Sequence, residues 1–364
     1  MPERIAVEDG RRLRLDYADG SSEVFAALWL FDHAVEARDP VSGQRGGGAL
    51  ELDPNLSIHR AELGDGVVRL EFSSGMARHV RLGELRPTLA NPEPVLWTTP
   101  EAILAAPPIE ALAYLEDDLA LYAALSNAAR HGLTLLHGAG ARPDALEAIV
   151  ARFGYIRETN YGRLFTVRAK SEPENLAFTD QALELHTDNP YRDPMPTLQL
   201  LHVVEADEAG GGESLFVDGV AHAETFRRRD PAAFEILAAQ PVGFAYADTS
   251  GAWWRTTAPI ITLGPAGEVA AVRVNHRSLV APPLAAERME AWYAAYLDYV
   301  RALHAPEAAY ARRLVAGDVV LFDNRRILHG RRAVLGRPGA RWLQGCYADR
   351  DGLMATLARL GCGD

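Results

Sequence analysis

The chain has 364 residues, 48% of them hydrophobic and 24% charged, which is the balance of a globular protein with one large domain and a smaller one. A formal net charge of −12 excludes the basic footprint that nucleic acid requires, and no apolar run approaches the ~20 residues of a membrane span. Cys346 and Cys362 are the only cysteines, so a disulfide scaffold is excluded; the opening Met1-Pro2-Glu3-Arg4-Ile5 lacks a signal-peptide core, and a reducing cytoplasm is the expected setting.

In chain order, residues 1 to about 90 read as a small β-rich domain. Leu13, Leu15 and Tyr17 alternate with polar residues, as do Val68, Leu70 and Phe72, and Asp19-Gly20 supplies a turn. Gly43 to Gly48 reads as a loop. A proline-rich stretch follows, and residues 91–108 are expected to be a linker. Leu112, Leu115, Leu119 and Tyr122 recur at three and four, which predicts one helix over 109–131 with these residues as its buried stripe and Gly132 at its end. A short strand, 133–136, and a helix, 145–153, come next. Beyond Gly154 strands dominate: 163–168, 182–187, 197–204, 213–217, 258–263, 269–274, 318–322 and 341–347. Helices near 219–239 and 284–303 interrupt them. Short strands with long excursions predict a mainly β domain over 109–364, a double-sheet jelly roll (double-stranded β-helix), rather than a βαβ fold.

The chemistry concentrates at His186-Thr187-Asp188 and at His329. On a strand, positions i and i+2 share a face, so one imidazole and one carboxylate can reach one ion. A second histidine completes the two-histidine, one-carboxylate face of non-haem Fe(II) oxygenases. In a chain with eleven histidines, His-x-Asp alone is a weak signal. Both sites fall at predicted strand ends, where a jelly-roll mouth lies. His202, inside an apolar strand, reads as a core histidine. Asp323 and Arg325 read as ties of the loop before His329, and Arg326, Arg331 and Arg332 as solvated or paired with surface acids.

Three stretches carry a resemblance: Leu185-His186-Thr187-Asp188, Gly317 through Arg331, and Arg341-Trp342-Leu343-Gln344-Gly345-Cys346-Tyr347. With Asn160-Tyr161-Gly162, Asn175-Leu176-Ala177-Phe178-Thr179 and Val217-Asp218-Gly219, they resemble the γ-butyrobetaine hydroxylase family of Fe(II)/2-oxoglutarate dioxygenases from about residue 110 onward. The resemblance implies that His186, Asp188 and His329 hold Fe(II), with 2-oxoglutarate as co-substrate and O2 as oxidant. It implies that Arg341, twelve residues beyond His329, pairs with the distal carboxylate of 2-oxoglutarate, and that Leu201 lies beside that co-substrate. A fork-shaped guanidinium suits a carboxylate bidentately. A metal hydrolase with the same ligands would need an added acid or base and would leave Arg341 unexplained, and a non-catalytic jelly-roll binder would have no need of three intact ligands.

The resemblance also implies an enclosure for a trimethylammonium group, built from Tyr161, Phe165, Phe178 and Tyr347. Aromatic faces attract such a cation with about 0.5–2 kcal/mol each. Asn175 matches a family asparagine that holds the substrate carboxylate. Where a second asparagine is usual, this chain has Arg277, and Asn189 and Tyr191 continue the metal motif unusually. Added cation and donors suit a phosphonate, so 2-(trimethylammonio)ethylphosphonate is the expected substrate, with γ-butyrobetaine, hydroxylated to L-carnitine, as the alternative. The family's zinc cysteines have no counterpart before Cys346. Asp32, His33, Asp39 and His59 are the only conceivable substitutes, and the expectation is a zinc-free N-terminal domain that serves packing and a homodimer contact.

Overall fold

The computed structural model describes residues 1–85, 92–168, 181–206, 211–247, 251–280, 282–334 and 341–361. The chain forms two compact units, Met1–Ala90 and Asn91–Asp364. No helix among the described residues is long and apolar enough to cross a membrane.

In the first unit the alternating residues build two antiparallel meanders: Pro2–Glu8, Arg12–Tyr17 and Ser22–Ala26, then Ile58–Gly64, Val67–Phe72 and Ala77–Arg81. Leu13, Leu15, Val68 and Leu70 are wholly buried, packed with Leu30, Leu56 and Phe72. Two hairpins turn on Asp-Gly pairs, Asp9 and Gly10 at φ 49° and 69°, Asp65 and Gly66 at φ 48° and 75°. Positive φ at both central residues gives a type I′ turn, whose twist matches that of the strands.

The four residues weighed as zinc ligands have other roles here. Asp32 pairs with Arg45, the Asp39 carboxylate accepts from Val41 and Ser42 in its own turn, His33 bonds the carbonyl of Trp29, and His59 is exposed. Elemental analysis of protein purified without added metal is expected to find no stoichiometric zinc. One zinc per chain that survives removal of iron would contradict this.

The second unit is built on two facing sheets. The larger runs Phe165–Arg168, Trp342–Ala348, Leu198–Glu205, Val319–Asp323, Leu133–His137 and Ile109–Glu110 in spatial order, with Ile156–Arg157 also on Trp342–Ala348. The smaller runs Leu183–His186, Ile327–Arg331, Ser214–Asp218 and Tyr310–Arg312. Neighbours are antiparallel except Ile109–Glu110 with Leu133–His137. Helices cover the outside of the larger sheet, where Leu121, Leu125 and Leu357 pack on Leu198, Leu200 and Leu321. Helices Gly219–Arg229, Pro231–Ala239 and Ala286–Leu303 cluster around Trp292, Tyr296 and Phe244 behind the smaller one. With apolar packing on both faces, the central strands read as unbroken apolar runs rather than alternations. This is the jelly roll expected from the strand pattern.

Several boundaries differ from the sequence expectation. The 109–131 helix breaks at Asp117 into Ala111–Glu116 and Asp118–His131, because Asp117 is extended (φ −115°, ψ 126°) and its side chain caps Leu119 N. The break changes the buried face. Leu112, Leu119 and Tyr122 are 60%, 79% and 40% exposed, while Tyr114, Leu121, Leu125 and Ala128 are buried. The 219–239 helix likewise splits at Asp230, which caps Ala233 N with Pro231 at the first helical position. The segment 91–108 is not a free linker. Trp97 and Ile103 are buried, and Trp97 Nε1 donates to the His131 carbonyl at 2.9 Å. Arg326 is not solvated either: it is buried against Asp218, with Nη2 at 2.6 Å, and donates to the carbonyls of Arg130 and Val95. Removing one partner of such a pair costs roughly 3–5 kcal/mol. It ties the residue-95 segment and the end of a helix to the turn that precedes His329. Asp323 does tie that turn, accepting from Arg325 N at 2.9 Å and pairing with Arg350 at 3.5 Å.

Candidate active site

The two histidines meet because of strand register. Leu183–His186 and Ile327–Arg331 are antiparallel neighbours, and His186 lies directly opposite His329, with ring centroids 4.3 Å apart. The strand that carries His329 was absent from the sequence expectation, which left that residue after a loop. Asp188 does not arrive by strand alternation. The strand ends at His186, and the chain turns at Thr187 through Asn189, the last at φ 51°. Thr187 is fully buried and exchanges backbone and hydroxyl bonds with Val274. Asn324 bonds both sides of the Asp188 backbone, accepting from its N–H at 2.7 Å and donating to its carbonyl at 3.0 Å.

The result is one compact group. One ligand atom from each of His186, Asp188 and His329 lies within 4.8 Å of the others, the sole such cluster among the described residues. His186 Nδ1 lies 2.8 Å from the Glu184 carbonyl, which makes Nδ1 the protonated nitrogen and leaves Nε2, 3.2 Å from Asp188 Oδ1, as the ligating atom. Burial, with the neighbouring His186, pushes His329 down to about 3, so its imidazole is neutral and able to ligate. For Asp188, burial acts upward, but the bond from His186 and the nearby His329 outweigh it and hold the carboxyl below its usual range. The His329 imidazole, the His186 Nε2 left free by the Nδ1 bond, and an ionised Asp188 carboxylate, with a cavity on the open side, fit Fe(II).

That cavity has a volume of about 330 Å³ and touches Asp188 and His329. On one side it is cationic and otherwise apolar. Arg341 and Arg331 line it with Leu201, Phe216 and Leu343. Arg341 donates to Ser214 Oγ at 3.4 Å and has no acidic partner among the described residues. Burial and Arg331 push it down to about 10, which leaves it charged. Arg331, expected at the surface, is buried here and donates to the Gln181 carbonyl at 2.7 Å. A half-buried guanidinium without a carboxylate, lining the same cavity as the metal-ligand cluster, fits an anionic co-substrate such as 2-oxoglutarate.

The other side is aromatic. Phe165 and Tyr347 stack at 5.1 Å, Tyr161 lies 6.2 Å from Phe165, and Tyr191 stacks on Tyr246 at 5.0 Å. Gly345 makes room for this wall, since a Cβ there would fall 2.3 Å from the Phe165 ring. Asn189 and Arg277 also line the cavity, and Tyr191 OH donates to Asn189 Oδ1 at 2.8 Å. Arg277 has no hydrogen-bond or ion-pair partner among the described residues. Asn175 and Phe178 lie outside the described residues. His202 stays out of the cavity, buried and bonded to the Gly140 carbonyl at 2.8 Å.

Sequence reasoning missed Gln199, Asn324, Ser214 and Tyr246. Gln199 had a legible signal, a lone amide inside the apolar run Leu198–Val204. Tyr246 had none. It reaches the cavity from the paired strands Val242–Ala247 and Trp253–Ala258, neither of which was expected; the predicted 258–263 strand is itself interrupted at Pro259 and Ile260.

Residues 104–347 match the family described as taurine catabolism dioxygenase TauD, TfdA family. The γ-butyrobetaine dioxygenase of Pseudomonas sp. (strain AK-1) is 34% identical over 94% of this chain and 91% of its own length. The human γ-butyrobetaine dioxygenase is 32% identical over 97% and 95%. Among solved structures, an asparagine oxygenase in complex with Fe(II), 3-hydroxyasparagine and succinate matches in fold, with a TM-score of 0.50, 19% identity, and coverage of 65% of this chain and 83% of that one. The matches and the His-Asp-His group agree on an enzyme that uses Fe(II), 2-oxoglutarate and O2. The chain belongs to the TauD/TfdA family of Fe(II)/2-oxoglutarate dioxygenases and, within it, to the γ-butyrobetaine hydroxylase family.

Proposed function

We propose that this enzyme hydroxylates a trimethylammonium carboxylate, γ-butyrobetaine, to give L-carnitine. The observation that carries the substrate is the 34% identity to a γ-butyrobetaine dioxygenase across 94% of the chain. The aromatic side of the cavity supports it. A quaternary cation has no N–H to offer, so ring faces replace water around it without leaving a donor unmet.

In this reading His186, Asp188 and His329 hold the iron. Arg341 and Leu201 face the 2-oxoglutarate. Tyr161, Phe165 and Tyr347, with Tyr246 beside them and Phe178 and Asn175 as sequence-based additions, form the substrate side. Iron and 2-oxoglutarate, when bound, supply the oxidation: one O2 is consumed, 2-oxoglutarate becomes succinate and CO2, and a substrate C–H becomes C–OH. The protein's part is placement. The aromatic wall sets the cation at one end, and Arg277 and Asn189 offer donors to the substrate carboxylate at the other. The apolar lining of Val167, Leu201, Phe216 and Leu343 keeps water from the reacting carbon.

The phosphonate expected from the sequence rests on Arg277, Asn189 and Tyr191, and the relatives support the carboxylate instead. A panel of substrates tests the assignment by succinate release. γ-Butyrobetaine is expected to give the highest kcat/KM. Its primary-amine analogue is expected to fall by tenfold or more, on the order of the cation–π energy of two or three rings, because an ammonium keeps its water. Equal turnover of the primary amine would show that the rings are only core. A preference for 2-(trimethylammonio)ethylphosphonate, lost on Arg277→Asn, would overturn the carboxylate in favour of the phosphonate.

A further inference from the structure

The Asp188 carboxylate has two unlike oxygens. Oδ1 faces His186 Nε2 at 3.2 Å. Oδ2 accepts two side-chain donors, Gln199 Nε2 at 2.8 Å and Tyr347 OH at 2.8 Å. These donors come from neighbouring strands of the larger sheet, Leu198–Glu205 and Trp342–Ala348, where Gln199 and Tyr347 are directly paired. Paired positions project from the same face, so the two groups reach Asp188 together. Asp188 itself belongs to the segment that follows the smaller sheet. The only side-chain bonds to its carboxylate from the larger sheet, among the described residues, are these two. A carboxylate at the end of a turn can rotate about its Cβ–Cγ bond and present either oxygen or both. Two donors on one oxygen remove that freedom.

Tyr347 has a second surface. Its ring stacks on Phe165 at 5.1 Å and lines the cavity with Tyr161. Its hydroxyl therefore holds a metal ligand while its face forms the substrate wall. We propose that Gln199 and Tyr347 are positioning residues that fix Asp188 to ligate through one oxygen, and that Tyr347 transmits occupancy of the aromatic wall to the metal. The proposal rests on the reading of Asp188 as an iron ligand. Partners behind metal ligands commonly carry 10- to 100-fold in metal affinity or activity.

The test is anaerobic titration of Fe(II) into the full-length protein with 2-oxoglutarate present, for wild type, Asp188→Ala, Gln199→Met and Tyr347→Phe. Gln199→Met keeps volume, and Tyr347→Phe keeps the ring, so thermal unfolding reports whether either has lost its fold. Both are expected to weaken Fe(II) by about tenfold, the low end of that range. With iron saturating, Tyr347→Phe is expected to shift KM for γ-butyrobetaine only by the severalfold factor that the lost coupling carries, to keep its preference over the primary amine because the ring remains, and to lower kcat. In wild type, γ-butyrobetaine is expected to change Fe(II) affinity severalfold, and by reciprocity Fe(II) changes γ-butyrobetaine affinity by the same factor. In Tyr347→Phe that coupling is expected to vanish. Unchanged Fe(II) affinity in both variants, with Asp188→Ala defective, would overturn the clamp and leave the ligand reading standing. Coupling that persists in Tyr347→Phe would overturn the transmission. Unchanged Fe(II) affinity in Asp188→Ala would overturn the ligand reading itself.

Discussion

Asp188→Ala is expected to abolish succinate formation. The cluster offers three ligands within 4.8 Å, and Asp188 is the sole anionic one. Its removal leaves two imidazoles, with ring centroids 4.3 Å apart, and no charge to offset a divalent ion. The variant also strands the Gln199 amide and the Tyr347 hydroxyl that now bond Oδ2. Residues behind metal ligands are each worth roughly 10- to 100-fold, so loss of a ligand is expected to exceed that range. The fold is expected to survive, because Asn324 holds the Asp188 backbone rather than its side chain. Iron content and turnover should be measured on the same preparation. Wild-type succinate production by a fully metallated Asp188→Ala protein would contradict the site.

The second large effect is expected at Arg341. This guanidinium is half-buried in the cavity wall, its neighbour Arg331 is also cationic, and Ser214 Oγ is its one hydrogen-bond partner among the described residues. Such an arrangement is poised for an anion. Arg341→Ala should leave the distal carboxylate of 2-oxoglutarate without its pair, a loss on the order of 2–5 kcal/mol for a buried charge-assisted contact. At about 1.4 kcal/mol per decade, KM for 2-oxoglutarate then rises by tens-fold to thousands-fold. Arg341→Lys should recover only part of this, since an ammonium keeps the charge and loses the fork. Substrate affinity, measured separately, should change little. An unaltered KM for 2-oxoglutarate in Arg341→Ala would remove Arg341 from the co-substrate site.

Much of this architecture was legible in the chain, and the legible parts share a physical reason. Leu13 and Leu15, or Val68 and Leu70, are buried because a half-buried strand has period two, which any reader of the sequence can see. The metal motif could be read because His-x-Asp is local. The parts that were missed depend on contacts between distant residues. Asn324 reaches Asp188 across 136 positions, and Tyr347 reaches it across 159. Which strands lie side by side decides both, and that order does not follow from periodicity. The helix after residue 109 was misread for a different reason. Leu112, Leu115, Leu119 and Tyr122 do fall at helical spacing, but Asp117 caps a new helix and resets the phase, so the spacing spans a break. Arg326 and Arg331 were misjudged because a lone arginine is usually at the surface. Only the buried Asp218 carboxylate opposite Arg326, whose Oδ2 accepts from both Nε and Nη2, reveals that its desolvation is offset.

The most direct measurement of the central claim is a stoichiometric one under isotopically labelled dioxygen. The protein, Fe(II), 2-oxoglutarate and γ-butyrobetaine are combined, and the products are read by mass spectrometry. The account predicts one succinate for each hydroxylated trimethylammonium acid, with one labelled oxygen atom in each. Succinate formation that is independent of γ-butyrobetaine, or a hydroxylated product whose oxygen comes from water, would contradict it.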